Sequence, residues 1–138
     1  MLASALAALL LQTTPAQPAP PMVVVREADV RVEQNPPPHN GVGHSTAFRL
    51  SDAAPGRNFE FRKRILHPGA SIGLHVLTHD EVYYVVSGQG EVASDGRTEV
   101  MGPETAAYLY EGADVGIKQV GDEPLVLIIA YPLGRRLP

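Results

Sequence analysis

The sequence predicts an all-β chain folded as a single antiparallel β-barrel or jelly roll. Three observations carry that expectation. Beyond the first residues, no window keeps apolar side chains at i, i+3, i+4 and i+7 over three turns, so helices are not expected. Short runs of β-type composition recur instead, each closed by Gly, Pro, Asn or Asp. Their near-regular spacing is that of antiparallel sandwiches and barrels.

Residues 1–21 form a leader of their own. An apolar Ala/Leu-rich stretch to Leu11 is followed by a polar, proline-rich linker over residues 13–21. That order reads as a secretory signal, with Thr14-Pro15-Ala16 as the expected cleavage site. The expected location is therefore periplasmic or secreted. The missing Lys or Arg before the apolar run leaves a cytoplasmic chain with a frayed start as the alternative. The run is shorter than the about 20 apolar residues a bilayer span needs.

The barrel domain is expected over residues 22–138, with strands at 22–26, 58–66, 71–77, 81–87, 91–94, 98–101, 106–110, 115–119 and 125–130. Asp95-Gly96 predicts a tight hairpin, because both residues accept positive φ at little steric cost. Gly121-Asp122-Glu123-Pro124 reads as a second hairpin turn. The segment Asn35-Pro36-Pro37-Pro38-His39-Asn40-Gly41 cannot be helix or central strand and is expected as a surface loop. Val82-Tyr83-Tyr84-Val85-Val86 and Leu125-Val126-Leu127-Ile128-Ile129 are apolar on both faces. One face would fill the barrel and the other would meet a second subunit, giving the expected homodimer, or, as the alternative, a second covering layer of the same chain.

Composition narrows the function. A chain of 138 residues suits one domain, and 44% hydrophobic residues suffice for a core. A net charge of −4 argues against nucleic acid, which demands clustered Lys and Arg. No basic amphipathic segment points to a membrane surface once the leader is removed. The charges read as an ordinary solvated surface. There is no cysteine, so any metal must be held by His, Asp or Glu.

The chemistry concentrates between two glycine turns, in residues 68–90, which hold His75, His79 and Glu81. In a continuous strand, positions 75, 77, 79 and 81 would share one face. His75, His79 and Glu81 would then make a two-His, one-carboxylate set with open positions for water or substrate. The alternative is that Thr78-His79-Asp80 is a turn, leaving His79 outside the set. His75 and Glu81 would then form a charge-assisted hydrogen-bonded pair in a metal-free pocket, since a buried carboxylate needs a partner. Such a pair can act as acid and base or orient a polar ligand. His67, at a turn, His39, in the proline-rich loop, and His44, in a glycine segment, are weaker candidates. No nucleophile elbow, P-loop or dinucleotide fingerprint is present.

The stretch from His67 to Pro132 resembles the cupin superfamily, specifically its small single-domain, conserved-barrel type-2 form. The first cupin motif reads G-x5-H-x-H, three or four residues, then E-x6-G. Gly69, His75, Glu81 and Gly88 stand at the required spacing, and Leu77 occupies the second histidine position. The second motif is degenerate. Its best register keeps Gly112 and places Val115 at the histidine and Gln119 at the asparagine. The resemblance implies a barrel with a three-His, one-Glu pocket, from which this chain has lost two histidines to aliphatic residues that donate no lone pair. The expected pocket is thus lined by Leu77, Tyr83, Val115 and Gln119 around His75 and Glu81, and takes a small, partly apolar organic ligand. Alternatives are a mononuclear enzyme of oxygenase, isomerase or lyase type with one Fe, Mn, Zn or Ni ion on His75, His79 and Glu81, or a dimerising barrel with a vestigial pocket.

Overall fold

The structure, a computed structural model, describes residues 3–11 and 17–134. Part of the leader, with Thr14-Pro15-Ala16, lies outside the described residues. Residues 3–11 and 17–26 form no helix or strand and are almost wholly exposed. The strand expected at 22–26 is absent. Its β-branched run has the propensity, but no neighbouring edge receives it, and a strand forms only where its backbone is paired. No helix among the described residues is long and apolar enough to cross a membrane.

Among the described residues, ten strands build the domain: β1 (Arg31–Glu33), β2 (Ser45–Arg49), β3 (Phe59–Leu66), β4 (Ser71–Val76), β5 (Glu81–Ser87), β6 (Gln89–Ser94), β7 (Arg97–Met101), β8 (Thr105–Leu109), β9 (Asp114–Val120) and β10 (Leu125–Pro132). They form two antiparallel sheets in a jelly-roll arrangement. One is six-stranded, in the order β1-β2-β3-β10-β5-β8, and the other four-stranded, β4-β9-β6-β7. Strands β1 and β2 were not expected, being short and polar at their starts.

The core lies between the sheets, and alternation explains its membership. From the six-stranded sheet come Leu66, Tyr83, Val85, Leu125, Leu127 and Ile129; Ile72, Val92, Val115 and Ile117 meet them from the other. The opposite face of β5 is exposed at Tyr84 and Val86.

The turns divide into two kinds. Asp95 and Gly96 both have positive φ and close the β6–β7 hairpin, with Ser94 paired to Arg97. Gly121–Pro124 is not a hairpin, which corrects the expectation. It carries the chain from β9 in the smaller sheet to β10 in the larger. Residues 77–80 make the same kind of crossing, from β4 to β5. Leu77 is tied there to Gly112 and Ala113 by backbone hydrogen bonds of 2.8 and 2.9 Å. Asp80 accepts the Tyr108 hydroxyl at 2.6 Å and the Glu111 amide at 2.9 Å. These ties fix the corner from which β5 begins.

Candidate functional site

Glu81 opens β5, and the alternation of that strand turns Glu81, Tyr83 and Val85 inward. The Glu81 side chain is buried and has no hydrogen bond or ion pair among the described residues. Burial pushes its carboxyl up to about 7, against the opposing pull of the Arg62 charge. Burial, and then the Glu81 charge, hold the Tyr83 hydroxyl far above its ordinary value, so it stays neutral.

His75 lies on β4, directly across from Val115 on β9. The register of this pair slips between Ile72 and His75. The slip is a bulge, and it breaks the strict alternation on which the sequence reading of this strand relied. The His75 Nδ1 meets the Gly73 carbonyl at 2.9 Å. Its ring stacks on that of His39, with centroids 3.5 Å apart and planes 5° from parallel.

The proline-rich loop delivers His39 to this position. It folds back onto β4, where the Gly73 amide donates to the Pro38 carbonyl at 3.4 Å. A Cβ at residue 73 would collide with the His39 carbonyl, so glycine is required for the approach. Burial first, and the neighbouring His75 charge second, hold the His39 imidazole below its ordinary range.

His79 sits in the sheet-crossing corner. Its ring stacks on Tyr131 of β10 at 4.2 Å between centroids. Burial lowers its titration, and the Glu111 charge partly restores it.

His75, His79, Glu81 and Leu77 thus border one cavity of about 280 Å³, together with His39 and Tyr131. A smaller recess of about 100 Å³ adjoins it and is walled by Arg49, Arg62, Arg64, Ile72, Tyr83 and Ile129, among others. The two share His39, His75, Glu81 and Tyr131.

These positions bear on the sequence expectations one by one. His75, His79 and Glu81 surround the same space, but among the described residues no three His, Asp or Glu side chains converge as a metal ion requires. The His75 Nδ1 meets the Gly73 carbonyl and the His79 ring stacks on Tyr131, contacts that orient both rings without occupying the His75 Nε2. The expected hydrogen-bonded pair of His75 and Glu81 does not form either, because the bulge and the His39 stack hold the imidazole elsewhere. Leu77 and Tyr83 line the cavities. Val115 is fully buried in the core across from His75 and lines neither.

Gln119 is also displaced from the pocket. Its Oε1 accepts the Gly69 amide at 2.9 Å. Its Nε2 donates to the carbonyls of Val120, Gly121 and Glu123 at 3.2, 2.7 and 2.8 Å. It clamps two turns and lines neither cavity. His67 is half-buried, with its Nε2 2.9 Å from the Thr46 hydroxyl, and His44 is exposed.

The sequence offers His39 only as a weaker candidate and does not single out the arginines. Alternation in β3 places Glu60, Arg62, Arg64 and Leu66 on the inward face. That pattern was readable, but charges on a strand were taken for solvated surface. Glu60, buried, pairs with Arg57 at 2.7 Å and with Arg62 at 3.1 Å.

The family's Cupin domain model matches residues 63–131. No curated protein matches the chain. Among solved structures, a predicted oxalate decarboxylase from Thermotoga maritima superposes with a TM-score of 0.71 at 23% identity, covering 82% of this chain and 100% of that one. The polyketide cyclase RemF from Streptomyces resistomycificus gives a TM-score of 0.70 at 23% identity, covering 84% of this chain and 82% of that one. An RmlC-like cupin from Shewanella frigidimarina gives 0.57 at 22% identity, over 67% of this chain and 78% of that one. At these identities the likeness is one of fold, and the fold alone does not carry an activity. With half of the chain under the family model and both sheets in the matching arrangement, this chain belongs to the cupin family.

Proposed function

We propose that this cupin binds a small, partly apolar organic molecule between its sheets, without a resident catalytic metal. One observation supports the reading above the others. His75 and Glu81 face a common cavity, while the positions at which the family's motifs would supply further histidines hold Leu77 and Val115. The cavity keeps the usual make-up of a ligand pocket: apolar walls with a few polar groups. Glu81, poised near neutrality, can donate or accept a hydrogen bond there.

The test is elemental analysis after reconstitution with Fe, Mn, Zn and Ni, followed by thermal shifts with a set of small organic acids, alcohols and amides. Sub-stoichiometric metal and a ligand-dependent rise in Tm are expected, since a ligand that binds only the native state stabilises it. One ion per chain, lost in His75→Ala or Glu81→Ala, would overturn the metal-free reading in favour of the mononuclear enzyme. No shift with any ligand would leave the vestigial barrel.

Export through the leader and pairing with a second copy belong to the same proposal. The exposed apolar face at Tyr84 and Val86 supports the pairing. Sedimentation of the chain against a Tyr84→Glu variant tests it, with a dimer expected only for the parent.

A further inference from the structure

We infer that the smaller, arginine-walled recess is an anion site, and that the ligand enters it carboxylate first. The inference rests on the small-molecule reading above and specifies the ligand's chemistry. Arg64 carries it. This side chain is only 4% exposed, yet no carboxylate meets it among the described residues. Its Nη1 donates to the Ser45 hydroxyl at 3.0 Å and its Nη2 to the Gln34 amide oxygen at 2.9 Å. Both acceptors are neutral. They aim the guanidinium without offsetting its charge. The Nε has no partner at all among the described residues.

A buried charge left unpaired is costly, and folded proteins rarely tolerate one without a use. The surroundings raise that cost. Arg62, also on the recess wall, adds a second positive charge, and Arg49 at its mouth adds a third. Of the three, Arg62 has the buried carboxylate of Glu60, whereas Arg49 reaches Asp52 only at 4.0 Å. Glu81 also lines the recess, but among the described residues it makes no ion pair or hydrogen bond with Arg64.

Geometry selects the anion. A guanidinium offers paired N–H donors in a plane, which a carboxylate matches with two oxygens. The recess holds about 100 Å³, space for a compact head group, and Ile72 and Ile129 form its apolar wall. The adjoining cavity at His39, His75 and Leu77 would take the organic body.

Propionate, its neutral amide propionamide, and inorganic phosphate test this at fixed ionic strength on the full chain. The readouts are the Arg64 Nε–H resonance and the thermal midpoint. Propionate is expected to shift that resonance and raise the midpoint, with propionamide at least about tenfold weaker. Arg64→Gln should weaken propionate by about tenfold or more. Arg49→Gln, at a half-exposed position, should fold normally and weaken it by a few-fold. If Arg64→Gln does not fold, the resonance and the Arg49 variant still decide. Equal binding of propionate and propionamide overturns the anion site but leaves small-molecule binding standing. A response to phosphate alone overturns the carboxylate assignment. Silence of all three probes overturns the inference, and the broader reading falls only if the wider ligand set is silent too.

Discussion

The imidazoles of His39 and His75 lie face to face, 3.5 Å apart, although 36 positions separate them in the chain. Burial, and then the charge of the stacked His75, hold the His39 imidazole below its ordinary value. In an NMR titration, His39 should take its proton below the ordinary 6.5. Its folded value lies under its unfolded one, so it contributes stability that is lost as pH falls from 6.5 through that folded value. His75→Ala should move the His39 titration upward; no movement would show that the stack does not govern it.

Glu81 gives the opposite slope. Its carboxyl rises from an ordinary 4.5 to about 7 on folding, so the native state binds more protons between those values. Stability should therefore fall as pH rises through that window and level off above it. The loss is on the order of 3 kcal/mol, one pKa unit being about 1.36 kcal/mol. Urea unfolding of Glu81→Gln against pH checks this: the variant should lack that fall and exceed the parent in stability at pH 8.

Gly73→Ala should dislodge the loop that carries His39. The new methyl would strike the His39 carbonyl, backbone against backbone, and neither can swing away. A loss of about 1–3 kcal/mol is expected, the range for a strained backbone contact. The ring-current shifts of the His39–His75 stack should vanish with it. Retention of those shifts would contradict the packing described.

Gln119 makes four hydrogen bonds to backbone groups from a buried position, and Gln119→Ala leaves them unmet. The cost should be about 2 kcal/mol in chemical denaturation, the range for orphaned buried polar groups. Gln119→Glu is the sharper test. Its carboxylate would still accept from Gly69 but would face three carbonyls. It should be no more stable than the alanine variant at neutral pH and recover on acidification. Ligand affinity should be unaffected in any variant that folds, because the amide does not line the cavity.

Much of the fold was legible in the chain. The β-type runs over 58–66, 81–87 and 125–130 fall on β3, β5 and β10, since each alternates around a buried face long enough to be unambiguous. The motif spacing from Gly69 to Gly88 likewise identified the family that the domain match shows. Short β1 and β2 escaped because β2 is held by β3 and β1 by β2, not by their own propensity. The run at 22–26 misled for the converse reason: propensity without a partner.

The all-β class, the family, and the inward direction of Glu81 and Tyr83 follow from the residues alone, because side-chain alternation is a local property of a strand. Which groups meet depends on how the sheets and loops close. A bulge in β4, a corner that changes sheets at 77–80, and a loop admitted by Gly73 together set His75 against His39 and His79 against Tyr131. Arg64 became a buried charge only when two sheets closed over it, and contacts between residues distant in the chain have no periodicity to read.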